Sequence, residues 1–537
     1  MNPTPAFRRL SAILPGLALV LSLAVSIYDP QGTGTLLQNQ VFDLYQRLLP
    51  RLAGTQGSHA VYIDIDAETA KRYGAWPWPR KTLNALVAHV RDAGARTIVI
   101  DMALPDADPT EAGQLLRLWS PLPAEEGFPG LGKSLARLPN HERELVALLT
   151  STKSVVSFVP GKIAYEGPRA PAKRSVIAPA GGDPRHFMAN YDNWRASLAL
   201  FETAANGNGA ALPEGSPGAT VRGLPMLVEL DGTLYPSNVL EALRVAHGGK
   251  GYRAVVATPE NGFSLAIEPG IERVEIEGTD LLARTLKDGC LRLYFGDAGM
   301  LAGRIAIIGV SANGSQRLHD TPVGIPMAAG ALAANAIDQI ADGSFLVRPG
   351  WASVAEQLFI LVGGVIVILV VRRFRFRWGL LLTLLATGGA AYGSWWAFET
   401  NRWLIDPALG GVTLLVAAFT CALMTRLHTE DEIRFVETQF GRRLSSGALA
   451  RVKANPRMIR AEGSLRDVTS VVVGLQHHRR PLPRRPDRLC RHPQPFLLAD
   501  DKDRAGPERH GGPHCGRRAL CGLERTARRK RPCLERV

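Results

Sequence analysis

The sequence predicts an α/β extracytoplasmic domain held at a membrane by four transmembrane α-helices, followed by a short helical cytoplasmic connector and a disordered C-terminal tail. Three observations predict it. Four apolar stretches approach membrane-spanning length, one near the N-terminus and three close together after residue 350. Arginines flank them on alternating sides. Between the first and second stretch, apolar runs alternate between strand and helix periodicity.

Residues 1–9 form a cytoplasmic N-terminus carrying Arg8 and Arg9, and Leu10 to Tyr28 follows without a charge. About twenty apolar residues cross the hydrocarbon layer as a helix. A cleaved signal peptide shares the charged start, but the run is long and no small-x-small cleavage site follows it. Three more spans are expected at 352–371, 379–398 and 404–424. The loop Arg372-Arg373-Phe374-Arg375-Phe376-Arg377 is strongly positive, whereas Glu399-Thr400-Asn401-Arg402 is nearly neutral. Cytoplasmic loops carry the excess of Lys and Arg, so both termini face the cytoplasm of a bacterial inner membrane and residues 30–350 lie outside. Trp351, Trp378, Trp395, Trp396 and Trp403 near the span ends fit an aromatic belt. Glu356 reads as an interfacial carboxylate.

Within 30–350, Ala60–Asp66 is a short β-rich run, Lys81–Ala93 a helix and Arg96–Asp101 a second strand, which together make a parallel βαβ unit. Arg304–Gly309 reads as a buried strand and Ala329–Ala341 as a helix. The Gly-, Pro- and Ala-rich section 161–223 reads as loops and insertions. One sheet combining both ends is expected, with Ile63, Ile98 and Ile307 in one core. Cys290 is the only cysteine of this region, so no disulfide forms within it.

The candidate ligand residues are Asp64, Asp66, Trp76, Trp78, Arg80 and Asp101. The aspartates stand at ends of parallel strands, where α/β folds place ligand sites; Asp66 is equally an N-cap for the next helix. Trp76-Pro77-Trp78-Pro79-Arg80 makes either an aromatic ligand wall with a cation or a rigid turn packed on the core. Gly309–Gly314 lacks the Lys-Ser/Thr of a phosphate loop, and His319-Asp320 beside Ser311 and Ser315 reads as a solvated loop rather than a hydrolase site.

Val61–Val87 (VYIDIDAETAKRYGAWPWPRKTLNALV), Gly94–Pro109 (GARTIVIDMALPDADP) and Leu301–Pro322 with Gly330–Ile340 resemble the type-two CHASE sensor domain of bacterial receptors. The resemblance implies an extracytoplasmic sensor for a signal whose chemistry the sequence does not give. Ala333 stands where a histidine is expected before the Ala-Asn pair.

The net charge of +14 is unevenly spread: residues 474–537 hold 17 Lys and Arg against 7 Asp and Glu. A basic tail with no folding pattern is no nucleic-acid-binding domain, and no nucleic acid is expected as a partner. Before it, Ile433, Val436, Phe440 and Leu444 repeat at helical spacing. This connector, 426–460, is the expected homodimer contact, with the membrane and an extracytoplasmic ligand as the other partners. Phe440-Gly-Arg-Arg-Leu-Ser-Ser446, the helical Ala448–Val452 and the strand Glu462–Val473 resemble the entry to a class III adenylate/guanylate cyclase domain, whose first strand would occupy 461–473. The resemblance implies two Mg2+ or Mn2+ ions held by two aspartates. Gly474 stands where the first metal aspartate belongs, and a glycine side chain offers no oxygen to a hard cation. The chain is therefore expected to need no cofactor and to cyclise nothing. Removing one nucleotide at the Gly474 codon lets Gly474-Leu475 encode Asp-Phe and Gly516–Leu520 encode Gly-Asp-Ala-Leu plus an aromatic residue, so 474–537 reads as an out-of-frame catalytic segment. The competing reading is a catalytically silent membrane module that binds a ligand or partner. A sensor histidine kinase would need a His-Glu-x-x-Pro-like helix after the last span, and none is present.

Overall fold

The computed structural model describes residues 5–29, 32–51, 58–111, 114–115, 137–161, 169–173, 175–213, 220–257, 269–295, 303–312, 318–374 and 376–440. The chain divides into two compact units, one of Met1–Ala24, Leu361–Leu385 and Thr413–Val537, the other of Val25–Ile360 and Ala386–Val412. The helices are α1 (Pro5–Tyr28), α2 (Thr33–Leu48), α3 (Ala67–Tyr73), α4 (Arg80–Asp92), α5 (His141–Ser151), α6 (Ala199–Ala204), α7 (Asn238–His247), α8 (Ala329–Ala341), α9 (Ala352–Arg373), α10 (Phe376–Asn401) and α11 (Ala408–Phe440). The strands are β1 (Ala60–Ile65), β2 (Thr97–Ile100), β3 (Ser154–Gly161), β4 (Ile177–Ala180), β5 (Asn190–Tyr191), β6 (Asn193–Arg195), β7 (Gly207–Ala210), β8 (Gly223–Pro225), β9 (Leu227–Leu230), β10 (Thr233–Pro236), β11 (Gly251–Ala257), β12 (Gly270–Glu277), β13 (Leu282–Arg284), β14 (Cys290–Arg292) and β15 (Ile305–Val310).

The larger unit is built on a sheet in the order β1-β15-β2-β3, with β7 beside β3; all these pairings are parallel, and β6 adds an antiparallel edge. Strands buried on both faces need apolar residues on both, and Ile-Ala-Ile-Ile-Gly-Val of β15 supplies them. Helices α4, α5 and α6 cover one face through Leu83, Val87, Leu145, Leu149 and Phe201. On the other, α7 and α8 bury Leu240, Leu243, Leu332 and Ile337. A second sheet, β13-β12-β11-β4, shares that core through Tyr252, Val274 and Ile276, and α7 is buried along nearly its whole length.

The expectation of a single core shared by Ile63, Ile98 and Ile307 needs correction. Register places Ile63 beside Ile308 and Ile98 beside Ala306, so those two face the α4 side while Ile307 faces α8. Side chains alternate along a strand, and these positions differ by an odd step. Section 161–223 is also corrected: among its described residues it forms β4, β5, β6, α6 and β7. Its glycines serve close approach. A Cβ on Gly209 of β7 would lie 2.7 Å from both the backbone nitrogen and Cα of Asn238. Gly209→Ala is expected to cost about 2–3 kcal/mol by forcing α7 off the sheet, measured as a lowered midpoint in denaturant unfolding.

Below the sheets, Phe42 and Tyr45 of α2 pack with Tyr294, Leu346, Phe398 and Leu404. Trp395, expected in an aromatic belt, stands edge-on to Tyr45 with ring centroids 5.2 Å apart, while Trp396 is exposed. The α10–α11 turn is laced to the segment between α8 and α9: Val347 N donates to Arg402 O at 3.1 Å and Leu404 N to Val347 O at 2.9 Å. Glu356, the expected interfacial carboxylate, accepts from Arg348 Nη2 and from Asp406 N, each at 2.7 Å.

Among the described residues, two helices are long and apolar enough to cross a membrane, Ala352–Arg373 and Ala408–Leu427; Ile13–Tyr28 is a shorter apolar stretch. The third expected span lies in α10, whose second half is diluted by Gly388, Gly389, Gly393, Trp395 and Trp396. In the smaller unit a Cβ on Gly364 would lie 2.3 Å from Leu19 Cδ1, and one on Gly363 3.1 Å from Leu414 Cδ2, so paired glycines let helices approach closely. Helix α11 runs unbroken to Phe440. The rest of the connector, the strand at 461–473, Gly474 and the tail lie outside the described residues.

Candidate functional site

Because β1, β15 and β2 are parallel and in register, their C-terminal ends form one edge. Asp64 lies opposite Gly309, Ser311 directly follows β15, and Asp101 directly follows β2. Tyr62 is two residues before Asp64 on the same face of β1 and donates its hydroxyl to Asp64 Oδ1 at 2.9 Å. Asp64 also accepts from Ser311 N at 3.1 Å and Ser311 Oγ at 2.6 Å. Asp101 is 1% exposed. Its Oδ1 accepts from Asn238 Nδ2 at 2.6 Å, and its backbone nitrogen donates to Ile308 O at 2.8 Å.

Two helix starts close over this edge. Asn238 opens α7, where Ser237 Oγ caps Leu240 N at 3.3 Å. Gly330 lies in the first turn of α8, where a Cβ would sit 2.2 Å from Tyr62 Cε2 and 3.1 Å from Asp101 Oδ2. A glycine is required for Tyr62 to fit beneath α8. Burial pushes the Asp101 carboxyl up to about 7, opposed by the Asn238 bond. Burial, reinforced by the charge on Asp64, pushes the Tyr62 phenol far above its ordinary value, so it stays a neutral donor. A cavity of about 10 Å3 beside Asn238, bordered by Ala329 and Ala333, has room for one water.

The six expected ligand residues do not form one site. Asp64 and Asp101 meet around Tyr62. Asp66 caps α3, accepting from Thr69 N at 2.8 Å and Thr69 Oγ1 at 2.7 Å, bonds that lower its carboxyl below its ordinary range. Trp78 is buried with Nε1 donating to Gly74 O at 2.7 Å, and Trp76 packs on it at 6.2 Å. Arg80 is also buried: its backbone nitrogen donates to Asp108 Oδ2 at 2.6 Å, its Nη2 to Asp106 O at 2.8 Å, and its guanidinium lies 5.6 Å over Phe201. This block is a packed corner anchoring α4, as its rigid-turn reading required. Ser311 serves Asp64, and Ser315 lies outside the described residues. Tyr62, Asn238, Ser311 and Gly330 complete the sheet-edge cluster; only Tyr62 carried a sequence signal, its spacing of two from Asp64.

The core is a parallel α/β sheet with Asp64 and Asp101 at its carboxyl edge, and among the described residues the chain also carries two helices of membrane-crossing length. The CHASE2 domain profile matches residues 17–371, well over half the chain, and the chain belongs to the CHASE2 domain family. CHASE2 is an extracytoplasmic sensor domain of signalling proteins. No curated protein and no solved structure matches the sequence.

Proposed function

We propose that the chain is a four-span receptor of the bacterial inner membrane, with the sensor at 30–350 outside and both termini inside, built on a class III cyclase chassis whose catalytic frame breaks at Gly474. The observation that carries the reading is the order of parts: a CHASE2 domain, the apolar helices, and then Phe440–Ser446 and Glu462–Val473 in cyclase-like sequence. The packing of Leu19 on Gly364 supports an anchor at α1 rather than a removed leader. The unbroken run of α11 to Phe440 supports a connector, and two such helices side by side would make the receptor a homodimer. The ligand edge is Asp64, Asp101 and their donors. Gly474 does not fit a metal ligand, so no cyclisation step is assigned to this chain.

Two measurements test the reading. Reporter fusions at Gly207 and Arg373 are expected to give periplasmic activity at the first position only; activity at Arg373, or none at Gly207, defeats the topology. Resequencing the DNA around codon 474 is expected to reveal a one-base change that opens a cyclase-like frame. If no such change exists, the silent membrane module, favoured by Gly474 itself, replaces the cyclase reading.

A further inference from the structure

An open groove of about 550 Å3 lies in the larger unit, within the roughly 300–1,000 Å3 of small-molecule sites. Three separate parts of the chain wall it: the turn into β13 (Asp280–Arg284), the end of α8 with the segment after it (Ile340–Val347), and the α10–α11 turn (Asn401–Trp403). Leu281, Leu282 and Phe345 give it an apolar floor, and charges stand at its rim.

Those charges differ in what already holds them. Asp342 is paired with Arg51 at 2.9 Å and His59 at 3.2 Å. Arg402 lies 5.5 Å over the Tyr294 ring and, like exposed Arg284 and Asp280, forms no ion pair among the described residues. Two cations and one carboxylate therefore remain open. Trp403, in the wall, stands edge-on to Trp351 at 5.5 Å. These two tryptophans come just before the two helices of membrane-crossing length. Tryptophan concentrates at the membrane–water interface, so on the membrane reading above the groove opens at the outer headgroup layer.

We propose that this groove binds the headgroup of a zwitterionic phospholipid, with the phosphate on Arg284 and Arg402, the amine at Asp280 and the glycerol esters over Leu281 and Phe345. The open charges complement a phosphate diester carrying an amine; a purely anionic headgroup would leave Asp280 facing negative charge. The occupant would touch both Val347 and Trp403 and so brace the lacing between them. The proposal rests on the membrane reading for the source of its ligand.

The test uses the full chain in detergent, titrated with short-chain phosphatidylethanolamine, short-chain phosphatidylglycerol and inorganic phosphate, with bound lipid counted by native mass spectrometry. Phosphatidylethanolamine is expected to bind with one-to-one stoichiometry and about tenfold more weakly to Arg284→Gln/Arg402→Gln, since charge-assisted hydrogen bonds to phosphate are lost. Phosphatidylglycerol is expected to bind more weakly than phosphatidylethanolamine, and inorganic phosphate to displace neither. Leu282→Cys reports the place: its reaction with a maleimide should slow several-fold when phosphatidylethanolamine is added. Equal lipid retention by the double variant, or an unchanged maleimide rate, overturns the site. Displacement by equimolar inorganic phosphate overturns the lipid as its ligand. Binding in detergent does not depend on orientation in the cell, and the reporter fusions do not depend on lipid binding, so the two readings fail separately.

Discussion

Replacing Asp338 with alanine is expected to destabilise the sensor domain by about 3–5 kcal/mol, the cost of leaving several buried donors without their acceptor at once. Asp338 is buried on the last turns of α8 and holds the entry to β1. Its Oδ1 accepts from His59 N at 2.5 Å and Ala60 N at 2.9 Å, its Oδ2 from Ser58 Oγ at 2.7 Å, and Arg51 Nη2 lies 4.0 Å away. Alanine leaves two backbone N–H groups without their acceptor beside a guanidinium that is itself buried. Asp338→Asn keeps one acceptor oxygen but brings an N–H into the other position, so it should recover part of the loss. Thermal unfolding of the full chain in detergent, followed by tryptophan fluorescence, should show the alanine variant lowered by roughly 5–10 °C, with Asp338→Asn between it and the wild type. An unchanged midpoint would mean that α8 does not hold β1 through this carboxylate.

The second large effect depends on pH. The Asp101 carboxyl is raised to about 7 in the folded chain, first by burial, against an ordinary 3.8. Below the ordinary value it is protonated in both states. As pH rises between the two values, only the unfolded chain releases the proton, so stability present in acid is lost as pH rises through about 7. The span corresponds to roughly 4 kcal/mol. The Asn238 Nδ2 bond opposes the effect of burial, and nearby Tyr62 stays neutral. Asp101→Asn keeps an acceptor for Asn238 and removes the proton. The stability difference between wild type and this variant should therefore change by that amount from about pH 4 to pH 8, in the variant's favour at the alkaline end. A difference independent of pH would show that the carboxyl is already ionised at low pH.

The sequence carried the strands with branched side chains and failed where size mattered more than apolarity. Val-Tyr-Ile-Asp-Ile in β1, Thr-Ile-Val-Ile in β2 and Ile-Ala-Ile-Ile-Gly-Val in β15 declare themselves by composition. Gly-Asn-Gly-Ala in β7 reads as a loop, yet it is a buried strand because α7 needs the room that side chains would take. Of the candidate site, the two aspartates at strand ends were legible. Asn238, 137 residues from Asp101 in the chain, was not, since only the fold brings it there. Asp66 and Arg80 looked available because charge usually marks solvent or function. Instead the backbone of α3 engages the first and the 106–108 segment the second. Trp395 looked like a membrane marker because an indole near a helix end suits an interface and a packed aromatic cluster equally.

The insertion of β15 between β1 and β2 has a consequence for how the domain is made. Among the described residues strand β1 is an edge strand whose one partner in the sheet is β15, so Ala60 waits for Ile305 to emerge before it can pair. A chain exported from its N-terminus therefore carries β1 as an unpaired, apolar strand through the synthesis of nearly the whole domain, and pairing at such sequence distance is slow. During that interval β1 is exposed to wrong partners. The supply of folding helpers would then govern yield. A short expression product ending before residue 305 should be aggregation-prone even though it contains β2, β3 and most of the helices.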